Sequence, residues 1–415
     1  MQSHRAPGHP CFTHLAIAGI ILLVHGCTSV PERDHPPPAS DELAEIPGMP
    51  PLARFWADAP PAYALQEAWF TQPREVVKAG HSALFGKEHA YLAISGGGQN
   101  GAFGAGLLIG WTETGTRPEF SLVTGISTGA LIAPFAFLGP EYDPQLREVY
   151  TATSTKDIAT PRGKLSVLTS DALAGTEPLQ ALIARHVDED MVRALAAEHA
   201  RGRDLYIGTT NIDAGRPVIW SVTTIAASGA PNSVELIRKI LLASASIPVA
   251  FPPVMFEVEV DGEGYEEMHV DGGAASQVFL YPTGLNWKRV NEKLEVRGTP
   301  KAYVIRNAKL DPRWKTVKRK LGPIGNRTIS MLIRTQGIGD MYRIYLFSQI
   351  DGIDYQLAYI PDSFTLEPKE VFDPGYMQAL FDKGYNMARS GYPWHTHPPG
   401  IEEIERMLEE DTERE

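Results

Sequence analysis

Residues 120–138 read FSLVTGISTGALIAPFAFL, which is an apolar run, a turn around Ser127 and a second apolar run. The first run, at 120–124, has the continuous apolar character of a strand that is buried on both faces. The second run is long enough for a helix. Gly125 and Gly129 flank the serine in the pattern G-x-S-x-G, which at a sharp strand-to-helix turn exposes a nucleophilic hydroxyl. We therefore predict that Ser127 is a catalytic nucleophile.

A second strand with glycines after it lies one element upstream. Residues 90–95 form another continuous apolar run, the glycine cluster at 96–101 follows, and a helical stretch continues to about Thr114. Ligands of open α/β sheets gather at the carboxyl ends of the strands. Because consecutive glycines let the backbone approach a substrate closely, the amides of Gly96, Gly97 and Gly98 are candidate donors to an oxyanion.

The glycine cluster also permits another interpretation. Gly96, Gly98 and Gly101 satisfy G-x-G-x-x-G, and the flanking strand and helix suit a dinucleotide phosphate loop. Such a site needs an acidic residue at the end of the second strand to hold the ribose, whereas this strand runs into the serine turn. The dinucleotide interpretation is therefore disfavoured, although it stays open at this point.

The serine hydroxyl needs a base from another strand end. Residues 268–273 read MHVDGG, an extended run that ends in Asp271 and two glycines. A carboxylate of ordinary pKa is a weak base, so this pair would depend on close hydrogen bonding and a strong oxyanion hole. A simple Asp-Gly turn is the alternative, and His269, His395 and His397 keep a Ser-His-Asp hydrolase open. No cysteine or acidic cluster accompanies the last two histidines, so no metal site is predicted.

Together these motifs resemble the patatin-like phospholipase family: a glycine-rich loop, G-x-S-x-G about thirty residues later, and then Asp-Gly-Gly. The Ala-Ser-rich segment at 243–248 also resembles the family, and the resemblance covers residues 91–281. It implies a Ser127–Asp271 dyad with the amides of Gly97 and Gly98 among the oxyanion donors. The implied fold is α/β, with three layers and a mostly parallel central sheet flanked by helices.

The resemblance also implies a reaction. The expected substrates are fatty acyl esters of phospholipids or lysophospholipids, cleaved through an acyl-enzyme without metal or cofactor. One position departs from the family, because Asn100 stands where the glycine loop commonly carries arginine or lysine. Charge assistance from that side chain is lost, which keeps open a lipid-binding envelope protein without turnover. A Ser-His-Asp esterase of small esters is the other alternative.

Composition limits the partners. The 415 residues are 43% hydrophobic and 21% charged, with a formal net charge of −12. Nucleic acid is not expected as a partner, because phosphate binding needs a basic face. A local basic stretch, at Lys315, Lys318, Arg319 and Lys320, is either solvated surface or a contact for anionic head groups.

The N-terminus has the pattern of an export signal. Arg5 precedes an apolar run at 15–24 that is too short to span a bilayer comfortably. Residues 24–27, VHGC, resemble a bacterial lipoprotein signal, although His25 is larger than the usual residue. We predict a signal peptide at 1–26 and membrane attachment through lipidated Cys27, in the cell envelope at the periplasmic face of the outer membrane. An ordinary secretory signal or a retained apolar anchor is the alternative.

The rest of the chain divides by composition. Proline-rich residues 27–61 predict a tether, residues 62–290 a catalytic domain, and residues 291–415 an extension of the same α/β unit with an acidic tail. Apolar residues 134–138 and 251–256 are either core or the lining of an acyl-chain channel. Further strands are expected at 204–210, 218–222, 254–260, 267–271 and 301–306, and helices at 178–200, 233–243, 328–348 and 375–388.

Overall fold

The computed structural model describes residues 33–38, 40–59, 63–163, 170–280, 285–312 and 314–401, together with 404 and 407. The predicted signal peptide, Cys27 and most of the acidic tail lie outside the described residues.

The strands and helices alternate along most of the chain. The strands are β1 Arg54–Trp56, β2 Ala90–Ile94, β3 Leu122–Ile126, β4 Thr160–Pro161, β5 Ala174–Gly175, β6 Asp204–Asn211, β7 Arg216–Ser221, β8 Val254–Val260, β9 Glu263–Asp271, β10 Lys301–Arg306 and β11 Asp354–Tyr359. The helices are α1 Tyr63–Phe70, α2 Arg74–Gly80, α3 Gly101–Glu113, α4 Thr128–Leu138, α5 Asp143–Thr151, α6 Thr155–Ile158, α7 Glu177–His186, α8 Glu189–Ala200, α9 Val222–Ala227, α10 Ser233–Ser244, α11 Trp287–Lys293, α12 Leu321–Asp351 and α13 Pro374–Arg389.

One sheet organises the fold, in the order β1-β7-β6-β3-β2-β10-β11, and the hairpin of β8 and β9 joins it through β6. The five strands from β6 to β11 are parallel, while β1, β7 and β9 pair antiparallel with their neighbours. Strands β2 and β3 are buried at every position, which explains their continuous apolar sequences. The predicted α/β class with a mostly parallel central sheet is confirmed.

Helices cover both faces of this sheet and make three layers. On one face α3, α4 and α13 pack with residues such as Leu107, Ile132 and Phe381. On the other face α12 packs Met341 and Ile344 against β10 and β11. The contact between α3 and α13 is close, because a Cβ at Gly106 would overlap the backbone of α13. No helix in the described ranges is long and apolar enough to cross a membrane.

The structure differs from the expected elements in two places. The helix predicted at 178–200 is two helices, because Asp188 caps α8 by accepting a hydrogen bond from the Met191 amide at 2.9 Å. Residues 27–61 are predicted to be a tether, but part of this range packs on the domain. Arg33 pairs with Asp213, Ala44 and Ile46 are buried, and β1 pairs with β7. These described residues of the expected tether are therefore folded onto the domain.

Candidate active site

Ser127 lies at a strained turn between β3 and α4. Its backbone has φ of 56° and ψ of −125°, a conformation that non-glycine residues adopt at a cost. A Cβ at Gly125 would come within 2.5 Å of the Gly129 carbonyl oxygen, and a Cβ at Gly129 would overlap the Ile94 carbonyl. Only glycine fits on either side of the serine, so the sequence pattern has the structural cause that we expected of a nucleophile turn.

The turn at Ser127, which we call the elbow, is held by α10, a helix far along the chain. The Ser127 amide donates to Ser244 Oγ at 3.0 Å, and that hydroxyl donates to the Gly208 carbonyl of β6 at 2.7 Å. Ser244 is fully buried at the end of α10. One side chain thus ties the nucleophile turn to the neighbouring strand, a role that the Ala-Ser-rich sequence did not reveal.

Strand β6 brings Ser127 and Asp271 together. Its residues 206–211 pair with β7 on one edge, so β3 and β9 must share the other edge. Along that edge β3 ends with Ile126 opposite Gly208, and β9 ends with Asp271 opposite Thr209. The two strands run toward each other, so the residue after β3 and the last residue of β9 lie side by side.

The Asp271 carboxyl group is buried and has one free oxygen. Its Oδ1 accepts from the Gly273 amide at 2.7 Å, and its Oδ2 has no hydrogen-bond partner among the described residues. The Ser127 hydroxyl lies close enough to this carboxyl group to lower its pKa. Hydrogen bonds of catalytic groups commonly tighten only when substrate binds.

Burial raises the pKa of Asp271 to about 7, against the smaller lowering by the Ser127 hydroxyl and the Gly273 amide. The expected low pKa of this aspartate is therefore wrong. A base whose pKa is close to neutral pH combines a substantial ionised fraction with a strong tendency to take a proton. Asp271 is thus a better base than its sequence suggests.

The glycine loop lies beside the nucleophile and holds two amides without an acceptor among the described residues. A Cβ on Gly96 would lie 3.2 Å from the Cβ of Ser127, so the loop packs directly on the serine. The Gly96 amide already donates to the Gln277 carbonyl at 3.0 Å and is not available to an oxyanion. The amides of Gly97 and Gly98 have no acceptor among the described residues, so they are the free donors of the three predicted glycines.

A family model for patatin-like phospholipases matches residues 92–283, the range that holds the glycine loop, Ser127 and Asp271. These residues are a patatin-like phospholipase domain. The match supports lipid acyl hydrolysis as the general activity of the domain. Among solved structures, VipD from Legionella pneumophila is 13% identical with a TM-score of 0.32, and the similarity covers 89% of this chain and 72% of VipD. No curated protein matches the chain.

The side chain at the departing position, Asn100, is contacted by α13. Asn100 Oδ1 accepts from the Tyr376 hydroxyl at 2.8 Å, and Gln99 Oε1 accepts from the Asp373 amide at 3.0 Å. Residues outside the matched range therefore hold the glycine loop of the patatin-like domain. The side chain at position 100 is engaged by α13 and is neutral.

Helix α12 holds the loop that follows Asp271. The Gln277 side chain donates to the Gly273 carbonyl at 2.7 Å and to Gln336 Oε1 at 3.0 Å. The buried carboxylate of Asp340 accepts from the Gln277 amide at 2.6 Å and from the Ser276 hydroxyl at 3.1 Å. Sequence reasoning missed these positioning residues, because their partners are about sixty residues away and no local pattern marks them.

The histidine alternatives do not meet the nucleophile. His269 is fully buried, and its two ring nitrogens pair with Thr209 Oγ1 at 2.9 Å and with Glu267 at 3.1 Å. His395 pairs with Leu357 on the outer edge of β11. That position is four strand spacings from β3, or about 19 Å at 4.8 Å per spacing. Of Asp271, His269 and His395, Asp271 is the one that lies beside Ser127.

The apolar segments beside the motifs belong to the core of the patatin-like domain. Phe135, Phe137, Phe251 and Phe256 are buried in one cluster, so the described structure does not open them as an acyl channel. A cavity of about 880 Å³ lies at the opposite edge of the sheet, where Tyr91, Leu122 and Asp204 line it near the starts of β2, β3 and β6. Neither Ser127 nor Asp271 lines it.

Proposed function

We propose that this protein hydrolyses fatty acyl esters of phospholipids or lysophospholipids, with Ser127 as nucleophile and Asp271 as base. The observation that carries the proposal is the buried Asp271 carboxyl, with a pKa of about 7 and a free oxygen, beside a serine on a strained elbow. The family supports acyl ester hydrolysis in general, and this pair supplies a base and a nucleophile for it.

In the proposed reaction Asp271 accepts the hydroxyl proton while Ser127 Oγ attacks the ester carbonyl carbon. The carbonyl oxygen takes up the electron pair and is stabilised by the free amides of Gly97 and Gly98, with the positive end of the α4 dipole nearby. Collapse expels the alcohol, which takes the proton from Asp271 and leaves an acyl ester on Ser127. Water then repeats the same steps, releases the fatty acid and restores the serine.

Covalent labelling tests the nucleophile. A fluorophosphonate probe should label the protein, and Ser127→Ala should abolish the label. Ser246→Ala is a suitable control, because that serine is also buried near Asp271, but among the described residues its hydroxyl bonds only the Leu242 carbonyl of α10. Absence of labelling in the intact protein would instead support a lipid-binding protein without turnover.

We also propose that Cys27 carries a lipid anchor at the cell envelope, on the strength of the VHGC signal sequence. Cys27→Ala should release the protein from the membrane fraction and stop incorporation of labelled fatty acid. Continued fractionation with membranes after that change would point to a retained apolar anchor or to another membrane contact.

A further inference from the structure

A basic and apolar segment lies at the start of α12 and in the residues before it. Between Pro312 and Gly339 the sequence has seven lysines and arginines and no aspartate or glutamate, in a chain with a net charge of −12. We call residues 314–333 the basic arm. The positive charge of the arm contrasts with the net negative charge of the whole protein and favours an anionic partner.

The apolar side chains of the basic arm are exposed. Trp314 and Leu321 each keep 91% of their surface, and Leu332 keeps 65%. None of the described side chains between 314 and 333 is buried. The arm's exposed large apolar residues are Trp314, Val317, Leu321, Ile324, Ile329, Met331, Leu332 and Ile333.

Water alone is a poor environment for such a helix. Gly322, Pro323 and Gly325 have low helix propensity, and helices in proteins gain most of their stability by packing an apolar face. Here the large apolar side chains of the arm are exposed instead of packed. Exposed apolar side chains gathered in one segment are typical of an interaction site.

The orientation of α12 places the basic arm at the catalytic edge of the sheet. Strands β10 and β11 are parallel, so the helix between them runs back from the carboxyl edge to the amino edge. A Cβ at Gly337 would lie 2.5 Å from the guanidinium of Arg306, the last residue of β10. The helix from Leu321 to Gly337 therefore extends about 24 Å past this level, at 1.5 Å per residue.

Just beyond the arm, α12 is bonded to the loop that follows Asp271. Gln336 Oε1 accepts from Gln277, whose side chain also donates to the carbonyl of Gly273. Two exposed valines add apolar surface near the site. Val249 lies three residues after Ser246, whose carbonyl accepts from the Asp271 amide. Val371 lies two residues before Asp373, whose amide donates to Gln99. The arm therefore ends three residues before Gln336, which contacts the loop that follows Asp271.

We propose that the basic arm docks the protein onto an anionic lipid surface and holds the Ser127 edge of the sheet against the lipid. Lysine and arginine beside exposed tryptophan, leucine and isoleucine are the composition of a segment that lies in a membrane interface. Docking extends the proposed function without depending on turnover, because it can be measured in Ser127→Ala protein.

Quenching of tryptophan fluorescence by vesicles with brominated acyl chains tests the docking. The full chain with Ser127→Ala is mixed with vesicles of phosphatidylcholine alone or with about one-third phosphatidylglycerol. We expect strong quenching by the anionic vesicles, loss of most of it in Trp314→Phe, and weakening as ionic strength rises from about 0.1 to about 0.5 M. A lipid anchor at Cys27 does not imitate this signal, because no tryptophan precedes Trp56.

Charge variants make the test specific. Lys318→Gln, Arg319→Gln and Lys320→Gln combined should lower the quenching several-fold. The matched control replaces the exposed lysines Lys78, Lys87 and Lys288 by glutamine and should behave as the parent. Equal quenching in the parent and Trp314→Phe, or equal loss in both triple variants, would overturn the proposal. So would a dimer in sedimentation that Leu321→Ser and Leu332→Ser dissociate, because a second copy would then cover the face.

Activity separates docking from chemistry. With Ser127 intact, the arm triple variant should lower hydrolysis of anionic vesicles by about tenfold or more and leave hydrolysis of a soluble short-chain ester unchanged. An equal fall on both substrates would contradict a docking role. If the parent hydrolyses neither substrate, the proposed function fails while the quenching result stands.

Discussion

Ser127 and Asp271 meet because β3 and β9 end head to head along one edge of β6, opposite Gly208 and Thr209. This arrangement buries the carboxyl group beside the nucleophile, and burial raises the pKa of Asp271 to about 7. The position of the base and its strength thus have one common cause, the register of three strands.

The pH dependence of hydrolysis should report this carboxyl group. Because the ionised form is the base, kcat/KM for a soluble ester should rise about tenfold per pH unit below pH 7 and level off above it. The measurement is an initial-rate profile on the short-chain ester from pH 5 to pH 9. A rate that is already level at pH 5 would show that a group of ordinary carboxyl pKa, or none, controls the step.

Asp271→Asn should remove turnover and change the pH dependence of stability. General base catalysis contributes at least about 100-fold, so a loss of that size is expected in kcat. The folded parent binds its proton more tightly than the unfolded chain, so its free energy of unfolding falls as pH rises from about 4 to about 7. That fall is on the order of 4 kcal/mol for a pKa raised from 3.8 to about 7.

The asparagine variant lacks this titration but retains an oxygen for the Gly273 amide. Urea unfolding should therefore find it more stable than the parent at pH 8, with the difference shrinking toward pH 4. If the difference in unfolding free energy between the variant and the parent stays constant from pH 4 to pH 7, the raised pKa of Asp271 is contradicted.

Ser244→Ala should loosen the elbow. The change leaves the Ser127 amide without its acceptor and the Gly208 carbonyl without its donor, both in buried positions. Unfolding free energy should fall by about 1 to 3 kcal/mol, and kcat should fall with it. Ser246→Ala is the comparison, since its hydroxyl serves only the Leu242 carbonyl. Equal kcat values for the two variants would deny Ser244 a positioning role.

Gly97→Ala should disturb the oxyanion donors. The new methyl group would overlap the backbone carbonyl of Asn307, and that residue cannot move freely because its amide and side chain donate to Ser95 at 2.8 and 3.0 Å. We expect kcat on a soluble ester to fall at least about 100-fold with little change in KM. Gly115→Ala is the control, because Gly115 also has a positive φ but open space around it. Unchanged kcat in Gly97→Ala would exclude this loop as the donor.

Much of the central sheet was predictable from local sequence. Several predicted bounds match the structure: strands at 254–260 and 301–306, and the end of α4 at Leu138. The pattern and length of the apolar runs determine these bounds. Strand β11 was missed, and so was the break before Asp188. A partly exposed edge strand and a single helix cap leave weak local signals.

Sequence alone therefore determined the strand, the strained serine turn and the free glycine backbone, since these depend on residues within one turn of the chain. Only the tertiary structure decided the rest of the site. It engaged the Gly96 amide with Gln277, bound Asn100 to Tyr376, and buried Asp271 enough to give it the pKa of a neutral-pH base. These properties come from residues far apart in the chain, because desolvation and hydrogen bonding depend on what surrounds a group in space.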